Sequence, residues 1–168
     1  MFCLETAQRI PTSREEVWEF ISSPHNLKLI TPDYMGFDIV SPNLPGKMYA
    51  GMVITYKVSP VLGIKTRWIS EITHVREGEY FVDEQRVGPY KMWHHEHHLE
   101  DIEGGVLMRD IISYIPPFGP LGVIAQRAFI GRKLQEIFGY REMKLTERFG
   151  SYAEPSKNAL QVLSGSAR

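Results

Sequence analysis

The chain has 168 residues, 43% of them hydrophobic and 11% aromatic, enough to bury one substantial core with room for a cavity inside it. Its 19 Lys and Arg against 20 Asp and Glu leave a formal charge of −1, and no basic run interleaves with aromatics, which argues against a nucleic-acid partner. Cys3 is alone, the start MFCLETAQR lacks the apolar stretch of a secretory signal, and no apolar run reaches the roughly 18 residues of a membrane span, so a reducing cytoplasm is the expected location.

The first segment, residues 2–10, alternates Leu4, Thr6, Gln8 and Ile10 against Cys3, Glu5 and Ala7, the pattern of a strand with one buried face. Pro11 ends it. Ser13 with Glu16 three residues on is a capping box, and Val17, Trp18, Phe20 and Ile21 supply the apolar stripe of a short helix. A second short helix starts at Ser23 and Pro24, runs through Leu27 and Ile30, and is closed by Pro32.

From Gly36 to Tyr114 the period changes to two, with runs at about 36–41, 51–59, 63–76, 79–87, 90–101 and 104–115 divided by turn signals such as Gly88-Pro89 and Gly104-Gly105. Short links favour antiparallel neighbours, so with the first strand the expectation is about seven strands in one curved sheet. After the stiff connector Pro116, Pro117, Phe118, Gly119, Pro120, a long helix is expected over residues 121–149. Its stripe is Leu121, Ile124, Ala128, Leu134, Phe138, Leu145 and Phe149, widened by Ile130 and Ile137, with Arg127, Arg132, Lys133, Glu136 and Arg141 on the polar remainder. Gly131 and Gly139 within it point to close packing against the sheet. Residues 1–150 form one domain in this reading, and 151–168, rich in Ser, Ala, Gly and Asn, a flexible tail.

The segment FVDEQRVGPYKMWHHEHHL, residues 81–99, carries the chemistry. Residues two apart in a strand share a face, which groups Phe81, Asp83, Gln85 and Val87 on one strand and Trp93, His95, His97 and Leu99 on the next. Apolar ends with polar middles put the polar groups inside, where they need partners, a ligand or water. Asp110, flanked by Met108, Ile112 and Tyr114, adds an acid from the following strand. His94, Glu96 and His98 fall on the opposite, solvated face.

The element order, and the stretches RIPTSREEVWEFISSPHNLKLITP, WISEI, FVDEQ, GPYKMWHHEH and DIISYIPPFGPLG, resemble the helix-grip superfamily of START, pollen-allergen and polyketide-cyclase proteins (SRPBCC), in particular a bacterial cyclase/dehydrase-like subgroup. The resemblance spans about residues 3–149 and implies an α+β fold in which the sheet wraps the C-terminal helix around an apolar ligand. The ligand-binding candidates are Trp68, Asp83, Gln85, Trp93, His95, His97, Asp110 and Tyr114. The expected partner is a small hydrophobic or aromatic molecule held in a cavity between sheet and helix. Two alternatives come from the same resemblance. One is a polyketide aromatase/cyclase-like enzyme in which His95 or His97 abstracts a proton, Asp83 or Asp110 orients it and Tyr114 binds the enolate. The other is a lipid or quinone chaperone. A buried network that merely satisfies itself is a further alternative for the Asp/Gln/His cluster. Two histidines and a carboxylate are also a ligand set for zinc or iron, and His-x-His beside a glycine resembles the cupin pattern, yet no histidine follows His98. No metal and no cofactor is assigned, and no oligomeric state is indicated.

Overall fold

The structure, a computed structural model, describes residues 1–59 and 65–152 together with the backbone of 161–163. Strand β1 (Phe2–Ile10) is followed by helix α1 (Arg14–Ile21). The Ser13 hydroxyl caps α1 by accepting from the Glu16 N–H at 3.2 Å, while the Glu16 carboxylate turns to the Thr12 hydroxyl instead of closing the capping box. The second helical segment, Pro24–Ile30, is 3-10 in form, as is the single turn Asp33–Met35. Pro24 starts this stretch, which has no side-chain cap.

Six further strands complete a curved antiparallel sheet: β2 (Asp38–Ile39), β3 (Val53–Val58), β4 (Thr66–Arg76), β5 (Tyr80–Val87), β6 (Met92–Ile102) and β7 (Gly105–Ile115). β1 closes against β7, and a three-residue strand β8 (Gln161–Leu163) pairs along the outer edge of β1, giving the order β2-β3-β4-β5-β6-β7-β1-β8. Most of the tail expected to be flexible, and residues 63 and 64 of the expected strand 63–76, lie outside the described residues. Register shifts between Ile69 and Ser70 and between Ile72 and His74 mark bulges that bend β4 over the interior.

The C-terminal helical arm has three parts: α2 (Gly119–Ala125), a π-helical turn (Gln126–Ile130) and α3 (Gly131–Phe149). Leu134, Phe138, Arg141 and Leu145 are the buried face of α3. The expected stripe fails before the π turn, because Leu121 and Ile124 are 70% and 63% exposed and Ala128 is exposed as well. The wider turn, in which the Gly131 N–H reaches back to Gln126, shifts the phase of any apolar period read through it. Gly131 makes room for the Gln126 side chain, whereas Gly139 borders open space and has no packing role. No helix among the described residues is long and apolar enough to cross a membrane.

The sheet closes tightly where β7 begins beside the end of β1. A Cβ on Gly105 would collide with the Ile10 carbonyl oxygen and the Tyr152 hydroxyl. Gly105→Ala is therefore expected to destabilise the fold by about 1–3 kcal/mol. Urea denaturation checks this, and an unchanged midpoint would show that the β1–β7 seam yields.

Candidate functional site

Inward positions of adjacent elements stack in layers. Antiparallel pairing sets Trp93 opposite Tyr114, His95 opposite Ile112, His97 opposite Asp110 and Leu99 opposite Met108. Across the interior, α3 presents Leu134, Phe138, Arg141 and Leu145. One apolar cluster gathers Leu4, Trp93, Ile112, Tyr114, Leu134 and Phe138, while a larger one includes Trp18, Phe81, Leu99, Met108 and Leu145. Between them lies a polar layer of Asp83, His95, His97, Asp110 and Arg141.

Each imidazole in that layer is bracketed by the same two carboxylates. Asp83 Oδ2 lies 3.4 Å from His95 Nδ1 and 3.0 Å from His97 Nε2. Asp110 Oδ1 lies 3.2 Å from His95 Nε2 and 2.8 Å from His97 Nδ1. Arg141 Nη2 sits 3.5 Å from Asp110 Oδ1 and 3.2 Å from His97 Nδ1. The rings themselves are 3.8 Å apart between centroids, with Phe81 stacked on His97 and Phe138 set edge-on to His95.

Burial works against ionising Asp110, but Arg141 and the two imidazoles outweigh it and hold the carboxyl well below the usual range. Asp83 is likewise held low against its burial, by His95 and His97. Burial disfavours charge on both histidines; for His95 the two carboxylates prevail and raise its pKa, while for His97 burial and the adjacent His95 lower it. The pair therefore takes its first proton on His95. With both rings neutral the layer holds two carboxylates against one guanidinium, and that single proton brings it to neutrality.

A cavity of about 170 Å³ opens beside this layer, between the sheet, α3 and the segment after α1. Asp83, His95, His97 and Arg141 reach its wall, with Trp68 and Trp93 among its aromatic lining. The other residues expected in the site are placed elsewhere. Gln85 clamps the β5–β6 turn, donating to the Tyr90 carbonyl at 2.7 Å and accepting from the Tyr90 N–H at 3.2 Å. Asp110 stands behind the histidines. Tyr114 accepts a hydrogen bond from Gln126 at 2.6 Å, and burial pushes its phenol up to about 12. His94, Glu96 and His98 form a partly exposed outer row with Glu84, as alternation requires.

Arg141 is the member that the sequence pattern assigns to the polar side of the helix. Its signal is present in the spacing 134, 138, 141, 145, which continues one helical face through a charged residue. Tyr56 and Ser70, on inward faces of β3 and β4, also border the cavity. Ser70 accepts from the Trp68 indole at 3.1 Å, and Tyr56 is kept a neutral phenol by burial and by Asp83.

No family model matches the chain, and no curated protein matches it significantly. Solved structures do. TTHA0849 from Thermus thermophilus is similar at 16% identity over 88% of this chain and 96% of that one, with a TM-score of 0.64. CV1439 from Chromobacterium violaceum is similar at 13% identity over the same shares, with a TM-score of 0.66. Ara h 8.0201 is similar at 16% identity over 86% of this chain and 97% of that one, with a TM-score of 0.56. At such identities the likeness establishes the fold, an α+β helix-grip architecture, and nothing about chemistry.

Removing the guanidinium leaves Asp110 buried without its permanent cation, so Arg141→Ala should cost about 3–5 kcal/mol in urea denaturation. The depressed carboxylates also set a pH dependence. Because folded Asp83 and Asp110 ionise below their unfolded values, the stability they contribute is present above the ordinary carboxylate range and is lost as pH falls below about 4. Asp110→Asn should therefore lose less stability than the wild type between pH 6 and pH 3. Equal acid sensitivity of the two proteins would show that Asp110 carries none of it.

Proposed function

We propose that the chain binds a small molecule with an aromatic or other apolar body and one polar end, in the cavity between sheet and α3. The observation that carries this reading is a cavity with mainly apolar walls into which the charged and imidazole groups Asp83, His95, His97 and Arg141 project together. Trp68, Trp93, Phe81 and Phe138 offer flat apolar surface to the body. Asp83 accepts hydrogen bonds, so a hydroxyl or N–H on the ligand is the favoured head group.

The cavity volume narrows the size. About 170 Å³ is close to the roughly 150 Å³ apolar cavity that takes up benzene, which suits one ring better than a multi-ring polyketide or an isoprenoid tail. In this proposal residues 1–150 form one binding domain of the bacterial cyclase/dehydrase-like subgroup, in the cytoplasm.

A second reading, proton transfer as in a polyketide aromatase/cyclase, is favoured by the two imidazoles held between carboxylates. In that case His97 or His95 would act from the cavity wall with Asp83. Tyr114 would have no direct part, since it does not line the cavity.

Phenol, p-cresol, indole and toluene are the probes, followed by tryptophan fluorescence, thermal unfolding and native mass spectrometry. A one-to-one complex with a phenolic probe is expected, stabilising the fold by about 2.7 kcal/mol at 100 times its Kd. Asp83→Asn should weaken phenol about tenfold or more while leaving toluene unchanged, as loss of a charge-assisted hydrogen bond predicts. Leu134→Trp, which fills the cavity, should abolish both. Absence of a complex with every probe would remove the basis for this reading.

A further inference from the structure

We propose that Asp83, His95 and His97 form a binding site for one first-row divalent cation of the zinc or iron type, backed by Asp110 and Arg141. This does not rest on the ligand reading above, because a cation needs only donors the chain supplies.

Three potential donors, one from each of these side chains, lie within 4.8 Å of one another. Metal bonds of about 2.0–2.2 Å to oxygen and nitrogen place neighbouring donors about 3.0 Å apart at right angles and about 3.4 Å apart at a tetrahedral angle. Asp83 Oδ2 stands 3.0 Å from His97 Nε2 and 3.4 Å from His95 Nδ1, the separations of a coordination edge. All three residues border the cavity, so the remaining coordination positions would open towards it.

The far side is built as an outer shell. The second nitrogen of each ring, His95 Nε2 and His97 Nδ1, faces Asp110 Oδ1, and Arg141 holds that carboxylate from α3. Ligating histidines are oriented in this way, by a carboxylate on the nitrogen that does not bind metal. Charge counting points the same way. Two neutral imidazoles bring two N–H protons to four ring-nitrogen contacts with carboxylates, and Arg141 answers only one of the two left over. The His95 Nδ1 lone pair then faces the Asp83 carboxylate with nothing positive between them. A cation there satisfies the carboxylate and the His95 imine nitrogen, and taking His97 Nε2 as third donor moves that ring's proton to Nδ1, where Asp110 Oδ1 accepts it and Arg141 keeps its contact with Asp110.

Sequence spacing alone could not separate this set from a histidine-rich run. Strand alternation halves the histidines, and only the fold shows which nitrogens converge.

The test uses the full chain, stripped with a chelator and dialysed, titrated with Co²⁺ by visible absorption and with Zn²⁺ by calorimetry. One equivalent should bind with the d–d absorption of a low-coordinate nitrogen/oxygen site. Asp83→Asn and His97→Ala should lose that equivalent, and Asp110→Asn should keep the stoichiometry while weakening affinity about 10- to 100-fold. His94→Ala with His98→Ala, on the outer face, should change nothing. Circular dichroism confirms that each variant is folded; where His97→Ala is not, Asp83→Glu replaces it and should shift the Co²⁺ spectrum. The proposal is overturned if the wild type binds no equivalent, the result expected of a layer balanced by a proton alone. Binding that survives in folded Asp83→Asn, or that vanishes with His94→Ala and His98→Ala, overturns it equally. Phenol binding is measured on the metal-free protein, so failure of the ligand reading leaves this outcome legible on its own.

Discussion

A buried layer of charge governs how this chain must fold. Asp83, Asp110 and Arg141 are ionised inside a core whose immediate neighbours are Phe81, Phe138, Met108 and Leu145, and each uncompensated ion there would cost several kcal/mol. Compensation requires three strands and a helix to meet at one level, since no single element supplies both signs. The layer is therefore a constraint on register. If β6 slipped by one residue, His94, Glu96 and His98 would enter the core in place of Trp93, His95, His97 and Leu99, and in one direction Asp110 would face Glu96.

The apolar layers on either side give that constraint its strength. Trp93, Leu134 and Ile112 seal one side, and Leu99, Met108 and Leu145 the other, so the carboxylates and imidazoles interact with little solvent screening. Phe81 lies flat on His97 at 4.0 Å and fixes the ring plane that aims Nε2 at Asp83. The register shifts in β4 fall at Ile69/Ser70 and Ile72/His74, and Ser70 and Ile72 line the cavity.

Alternation makes much of this legible in the sequence. Trp93, His95, His97 and Leu99 share a buried face as period two requires, and Asp110 lies opposite His97. Arg141 stays hidden because charge on a helix ordinarily signals solvent, although its helical phase matches Leu134 and Phe138. Gln85 and Tyr114 carry inward strand positions, but their polar atoms are claimed by Tyr90 and Gln126, contacts that no spacing rule encodes. The π turn at Gln126–Ile130 breaks the helical period that would join Leu121 and Ile124 to the buried face. Backbone periodicity is local and readable, whereas the partner a buried polar atom finds depends on elements far apart in the chain.

Charge balance also ties the polar layer to what the cavity accepts. With two carboxylates and Arg141, the layer is one positive charge short while the imidazoles are neutral. A proton on the histidine pair closes that gap and leaves a neutral floor, against which a neutral hydroxyl or N–H is the best match for Asp83. A divalent cation among Asp83, His95 and His97 overshoots it by one, so the floor becomes positive and favours an anionic donor such as a phenolate, carboxylate or enolate. The occupant of the polar layer and the charge of the bound head group are therefore one linked equilibrium. Under the proposed binding reading, whichever ion the layer holds decides whether an alcohol-like or an acid-like end is the better match for the polar floor.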